Sequence, residues 1–381
     1  MTANAMPTED IVVSAWTATS PFGRGADALA RGLAAGRAAT ADLDRATWPG
    51  PFDRAALIPG FDVAGILGRR GTRSMDRITG ITVSTVGMLL HDSGLLDRDG
   101  GVVEDPDNVG LVLGSGGSVQ STMDFTLEGL TGEKPYHVDP ARFPNAVMNR
   151  AAGQSAIWYG LKGPNATVFG GAVTGLLALS YAARLLRFGR CDVLLCGAAE
   201  EFSPRRAWLV ARTRGGEATA EPLGEGCVML LLESSATARR CGRRALASVL
   251  ATRFAAGDEH DGPRQTLARC VNRALAESGV DARELRLVAT SGADGALGKE
   301  EEAALADVLG ENPAPRGPLR LEPRRLLGDT STASAAFQIA AVLAAARDRA
   351  DLDGAVALVT SVDPIGVVGC VVLRLYPEGQ S

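Results

Sequence analysis

Nucleophilic, general-base and metal chemistry at neutral pH draws heavily on cysteine and histidine. This 381-residue chain has only three histidines, His91, His137 and His260. His137 in GEKPYHVDP and His260 in DEHDG sit in polar stretches that read as surface loops. The six cysteines, Cys191, Cys196, Cys227, Cys241, Cys270 and Cys370, show neither a CxxC pair nor the Cys/His spacing of a zinc site. No metal and no cofactor is therefore expected. Several cysteines fall inside apolar, strand-like runs (DVLLCGAAE, GEGCVMLLLE, GVVGCVVLRL), where a thiol is usually a small buried hydrophobe. Cys196, inside such a run, is a poor nucleophile.

The elements that would position any chemistry are those of an ordinary folded chain. It is 46% hydrophobic and 22% charged, and long enough to bury a core without disulfides or metals. The 46 glycines and 19 prolines are spread among apolar runs, which reads as turns and close-packed backbone rather than disorder. A net charge of −5 argues against a nucleic-acid footprint, which needs a basic stripe. No apolar run reaches the roughly 18 residues of a membrane span; the closest, 354–375, is interrupted by Asp363 and Pro364. The opening MTANAMPTED lacks the basic and apolar regions of a signal peptide, so a cytoplasmic location is expected.

Short β-rich runs alternate with Ala/Leu-rich helical stretches, the pattern of an α/β protein with buried strands. Strands are predicted at 10–15, 108–114, 165–169, 192–197, 227–233, 285–290, 355–360 and 367–375. Helices are predicted at 25–35, 75–94, 118–130, 145–159, 173–189, 264–278, 299–309 and 332–348. Residues 212–226 and 255–264 read as loops and 311–319 as a Pro-rich connection. One unit occurs twice. GGAVTG at 170 leads through an apolar helix to DVLLCGAAE, and GDTSTA at 328 leads through another to AVALVTSVD, 158 positions on. NVGLVLGSGG near 108 is likewise echoed by LRLVATSGAD at 285. Two similar halves packed face to face would bring the loops before the two helices together. Chance similarity of two ordinary α/β units is the alternative.

The segments FPNAVMNRAAGQSAIWYGLKGPNATV (143–168), AARLLRFGRCDVLLCGAAEE (182–201), GLVLGSGG (110–117), PLGEGCVMLLLE (222–233) and VVSAWTATSPFG (12–23) resemble the β-ketoacyl-ACP synthases, condensing enzymes of the thiolase fold. The likeness runs from about residue 10 to 376. It implies two βαβαβαββ-like halves, 1–236 and 237–381, in one five-layered αβαβα unit.

The resemblance also locates the chemistry, and each position is changed. The family's nucleophilic Cys stands at the start of the first buried helix, where backbone N–H groups favour a thiolate and an oxyanion; that position is Ala172 here. The first catalytic His falls on Ser291 and the second on Asp329 in LLGDTST. A family lysine becomes Arg324, and the gating Phe of the G-F-G-G-T-N loop falls near Pro364 in VDPIGVVG. Read by themselves, Ala172 is a packing residue, Ser291 a turn residue and Asp329 an N-cap. Thr174 has a hydroxyl beside the old site but no imidazole to take its proton. Condensation is not expected of such a chain.

A silent member of this family resembles the chain length factors, which pair with an active ketosynthase in type II polyketide and polyene synthases. They often carry Gln at the nucleophile position, and Ala172 departs from that habit. The loops at 212–226 and 255–264 are shorter than the matching flanks of the ketosynthases. The resemblance implies a heterodimer with a catalytic ketosynthase, joined through NATVF at 165–169 behind Pro164. It also places the helix SVQSTMDFTLEGL at the interface. There Ser118, Thr122 and Phe125, spaced i, i+4, i+7, are expected on one face, with Phe125 as a tunnel floor and Ser118 and Thr122 as a permissive wall. Ordinary interface packing competes with that role. Arg69, Arg70 and Arg73 in GRRGTRSMDR match the docking region for an acidic acyl carrier protein. An uninvolved basic patch is the plainer reading, and the same holds for Arg205 and Arg206. Two other functions stay open: an acyltransferase or hydrolase using Ser291, Asp329, Lys299 or Glu300, and a scaffolding subunit without a tunnel role.

Overall fold

The computed structural model describes residues 10–97, 100–214, 221–257, 261–310 and 317–376. The apolar runs of the first half pair into a sheet in the order Ile11–Ser20, Gly226–Ser234, Val193–Glu200, Val109–Gly114, Asn165–Val168. Those of the second half pair in the order Ala247–Ala256, Val367–Leu375, Val356–Val362, Leu285–Ala289, Leu319–Leu321. In chain order within each half the arrangement is the same: the first strand pairs antiparallel with the fifth, the fifth antiparallel with the fourth, and the fourth, second and third run parallel. The internal echo is thus a repeated topology rather than chance. The half-sheets join where Ile11–Ser20 meets Ala247–Ala256 through Val12↔Ser248 and Val13↔Ala247.

The helices complete five layers. Thr174–Arg187 and Ser334–Ala346 lie in the central core, shared with residues from both half-sheets. Arg77–Asp92 and Arg150–Tyr159 cover the outer face of the first half, and Pro263–Ser278 and Gly295–Leu309 that of the second. A helix apolar on all sides must be enclosed, and SAAFQIAAVLAAA is buried along nearly its whole length. The two central helices approach so closely that a Cβ on Gly175 would stand 2.5 Å from the Ala336 nitrogen. Only glycine permits that approach.

Several expected elements differ. Ala247–Ala256 is a ten-residue strand, obscured in the sequence by its alanines and Arg253. Leu319–Leu321 adds a strand at the end of the Pro-rich connection. Pro204–Thr213 is a helix that the sequence reading leaves unassigned. The helix expected from 145 begins at Arg150, behind the 3-10 turn Phe143–Ala146 that carries Pro144. Among the described residues, no helix is long and apolar enough to cross a membrane.

Candidate functional site: two buried helix starts and their carboxylates

The first buried helix, Thr174–Arg187, is approached through the 3-10 turn Gly171–Val173. Ala172 is buried there, and its N–H donates to Asp363 Oδ2 at 2.6 Å. Its carbonyl accepts from the Ser361 hydroxyl at 3.1 Å. The other oxygen of Asp363 accepts from the Ile365 N–H at 3.0 Å. Gly171 has φ +60°, and a Cβ on it would overlap the Asp363 carboxylate. Thr174 Oγ1 donates to the Gly171 carbonyl at 2.6 Å and accepts from the Gly170 N–H at 2.9 Å, so this buried hydroxyl is engaged in closing the turn.

The second buried helix, Ser334–Ala346, has the equivalent lead-in turn Ser331–Ala333. The turns begin 160 residues apart, at Gly171 and Ser331, not 158 as the sequence echo suggests. Ala172 therefore corresponds to Thr332 rather than to Thr330. The Thr332 N–H points at Glu200 Oε2, 3.4 Å away, and its hydroxyl lies 2.7 Å from the Ala199 carbonyl and 3.0 Å from the same Glu200 oxygen. Glu200 and Asp363 sit at corresponding strand ends, so each half supplies a carboxylate to the helix start of the other.

Asp329 is not the N-cap of the buried helix, a position held by Ala333. Its Oδ1 closes a local turn onto the Ser331 N–H at 2.8 Å. Its Oδ2 is paired with Arg214 and, at 3.2 Å, with Arg324. Burial alone would raise this acid, but Arg324, Arg206 and Arg214 outweigh it and hold the carboxyl below the usual range. Glu221 shares Arg324 Nη2 with Asp329, at 2.7 Å. Asp329, expected from the resemblance at the second histidine position, is one corner of a buried ion network, and Arg324 is committed to it.

Ser291 is buried with a carboxylate beside it that the sequence reading missed. Its hydroxyl donates to Glu301, its N–H lies 3.1 Å and 3.2 Å from the two Glu301 oxygens, and the Thr360 hydroxyl donates to Glu301 at 2.6 Å. Burial pushes Glu301 up to about 7, against the hydrogen bonds from Ser291 and Thr360. The acid at this site is Glu301, not Glu300; Lys299 is exposed. Thr360 and Ser361, adjacent on one strand, tie the Ser291 position to the Ala172 position.

No histidine falls at the site among the described residues. His91 is exposed beside Asp92 and His137 is exposed against Tyr136; His260 lies outside the described residues. Cys196 and Cys227 are fully buried, and desolvation raises both thiols, Cys227 to about 12.

The proposed tunnel helix needs one correction. Ser118 is the buried N-cap of Val119–Thr131: it accepts from the Ser121 N–H at 3.0 Å and donates to Glu201 Oε1 at 2.6 Å. It cannot also serve as an open wall. Thr122 is exposed and reaches the Ala146 carbonyl at 3.3 Å, while Phe125 is half-buried with its ring centroid 5.8 Å from that of Phe143. Asn165–Val168 is the outermost strand of its sheet, paired on one side only. Met148, Ile157 (75% exposed) and Phe169 are open to solvent, as are Met123 on Val119–Thr131 and Phe143, whose ring meets Phe125.

Arg69, Arg70 and Arg73 are exposed. Arg69 and Arg73 line a cleft of about 560 Å³ together with Phe61, Val63, Thr72 and Arg77. Arg206 is not part of any basic surface: it is buried, donating to the carbonyls of Glu201, Gly224 and Asp329 at 3.1, 2.8 and 2.8 Å. Arg205 is paired with Asp124 at 2.9 Å.

What the sequence reading missed is a set of acids at the ends of apolar strands. Glu200, Glu201 and Asp363 close DVLLCGAAEE and ALVTSVD, and Glu225 opens GEGCVMLL. An acid breaking a run that is otherwise buried is the available signal, since a buried carboxylate must find donors. Glu225 finds three: Arg77 with Nε at 2.7 Å, and the N–H groups of Ile58 and Phe202 at 2.8 and 3.0 Å.

Five layers, a repeated strand order and a position for chemistry at the start of a buried helix define a protein of the thiolase fold, the body plan of the condensing enzymes. The chain belongs to the β-ketoacyl synthase family, whose N-terminal domain pattern matches residues 8–238. It is 30% identical over 333 residues to a putative polyketide β-ketoacyl synthase 2 of Streptomyces coelicolor, covering 80% of this chain and 75% of that one. Among solved structures, a chain of the ishigamide ketosynthase/chain length factor is 41% identical with a TM-score of 0.86, covering 96% and 99% of the two chains. A chain of AntDE:AntF, a type II polyketide synthase acyl-carrier protein in complex with its ketosynthase, superposes with a TM-score of 0.79 at 17% identity, covering 97% and 100%.

Proposed function

We propose that this chain is a non-catalytic ketosynthase-like subunit of the chain-length-factor type. It would pair with a catalytic ketosynthase and shape the acyl tunnel in type II polyketide or polyene assembly. The observation that carries this reading is the Ala172 position: a methyl group cannot hold an acyl chain as a thioester, and its backbone N–H is bonded to Asp363. The 41% identity to a chain of a ketosynthase/chain length factor supports the same assignment.

Pairing is supported by the single-sided edge strand Asn165–Val168 and the exposed apolar side chains around it, a combination that invites a partner. Phe125 and Thr122 are the residues of Val119–Thr131 placed to set tunnel length, and Arg69, Arg70 and Arg73 the surface for an acyl carrier protein. Co-expression with a Cys-bearing ketosynthase tests the reading. A stable 1:1 complex whose product lengthens when Phe125 is replaced by Ala is the expected result. An unchanged product length in an intact complex would leave only a scaffolding role. A functional homodimer that ignores the ketosynthase would overturn the pairing.

The Ser291–Glu301 contact favours one second reading, an acyl-transfer enzyme with a serine nucleophile and a carboxylate base. Its mark would be turnover of an acyl thioester by the purified chain alone, abolished by Ser291→Ala.

A further inference from the structure

The Asp363 carboxylate spans two backbone donors from distant parts of the chain. Oδ1 takes the N–H of Ile365, a local turn contact any aspartate here could make. Oδ2 takes the N–H of Ala172, 191 residues away, at the shorter distance of 2.6 Å. That second bond is not needed to form the turn.

Backbone N–H groups aimed at one anion, here one from a buried helix start and one from the turn that faces it, are the kind of donor that stabilises an oxyanion in acyl transfer. Here the anion is the protein's own. Asp363 is only 7% exposed, and Gly171 adopts φ +60° where any side chain would overlap the carboxylate. The next residue, Pro364, has no N–H to offer. Among the described residues Asp363 has no ion pair, so its partners are backbone donors rather than a cation that would account for its placement.

We propose that Asp363 is a built-in occupant of the acyl-binding cradle. Its carboxylate takes the place of a thioester carbonyl oxygen and holds negative charge against residue 172. The chain is then closed to acyl thioesters twice: it lacks a nucleophile, and its anion site is filled from within. This holds whether or not the chain pairs with a ketosynthase, so it can fail or stand separately from the proposed function.

Restoring a thiol tests it. In full-length Ala172→Cys protein, alkylation by iodoacetamide forms a thioether at the introduced thiol with loss of iodide, and peptide mass spectrometry reads its rate apart from the six native cysteines. Removing the carboxylate in Ala172→Cys/Asp363→Ala should raise that rate at least about tenfold, the effect of lowering a thiol pKa by one unit. Acetate in the buffer should slow the double variant and leave the single variant unchanged, because only the former has an open cradle. Ala172→Cys/Asp363→Asn, which keeps the side-chain shape without the charge, should fall between the two and serves if the alanine variant does not fold. Equal rates in the folded variants, or acetate acting on neither, would overturn the proposal.

Discussion

The turns Gly171–Val173 and Ser331–Ala333 lead into the two central helices in the same way, and each meets a carboxylate from the opposite half. Their surroundings differ. Glu200, facing Thr332, also lies 3.7 Å from Arg206, a side chain that itself bonds three backbone carbonyls. Asp363, facing Ala172, has backbone N–H partners only among the described residues. The second helix start is bound into a network of buried ions that includes Asp329, Arg214, Arg324 and Glu221. The first has the Asp363 carboxylate against Ala172, with no ion pair among the described residues. In a duplicated fold, two equivalent helix starts are told apart by what surrounds the carboxylate each one holds.

The comparison breaks most severely at Asp329. Asp329→Ala leaves Arg324 and Arg214 sharing Glu221 as the remaining carboxylate of the network and should cost about 3 kcal/mol in urea unfolding. A loss below about 1 kcal/mol would show that the network is not what fixes the second helix start.

Acidity offers a second contrast between halves. Burial raises Glu201 in the first half to about 8 and Glu301 in the second to about 7, from an ordinary 4.5. Each raised acid binds its proton more tightly folded than unfolded, so its contribution to stability is complete below about pH 4.5 and declines as pH rises to its folded value. Between about pH 5 and pH 8 the melting temperature of Glu301→Gln should therefore fall less than that of the unmodified chain. Parallel curves would contradict the burial of an ionisable group at this position.

Two glycines separate crowding by a helix from crowding by a carboxylate. Gly171→Ala and Gly175→Ala should each cost roughly 1–3 kcal/mol through overpacking. Adding Asp363→Ala should relieve part of the first penalty, a coupling of about 0.5–3 kcal/mol in a double-mutant cycle, and leave the second unchanged because Gly175 faces Ala336. The smallest effect concerns Val119–Thr131. Ser118→Ala should cost about 1 kcal/mol as a lost cap, whereas Thr122→Ala, exposed on the same helix, should stay within about 0.5 kcal/mol. Equal costs would remove the distinction drawn between them.

The fold is largely legible in the sequence because its strands are near-continuous apolar runs and its central helix SAAFQIAAVLAAA has no polar face to misread. Ala247–Ala256 escapes notice because alanine and Arg253 dilute the β signal that neighbouring strands supply in three dimensions. At the site, the absence of Cys and His can be read residue by residue. The replacements cannot. Asp329 reads as a helix cap because Asp is a favoured N-cap ahead of an apolar helical run, but the guanidinium groups that claim it come from 214 and 324. Ser291 reads as a serine without a base because Glu301 is ten residues on, brought back by the turn of a helix. Asp363 reads only as a break in an apolar stretch, since its bond to Ala172 depends on two halves meeting across 191 residues.

The measurement closest to the central claim is intact-mass analysis of the purified chain after incubation with an acyl thioester, alone and with a Cys-bearing ketosynthase. The expected spectrum shows this subunit unmodified in both samples and the acyl mass only on the ketosynthase. An acyl adduct on this chain by itself, at Ser291 or any other residue, would contradict the account.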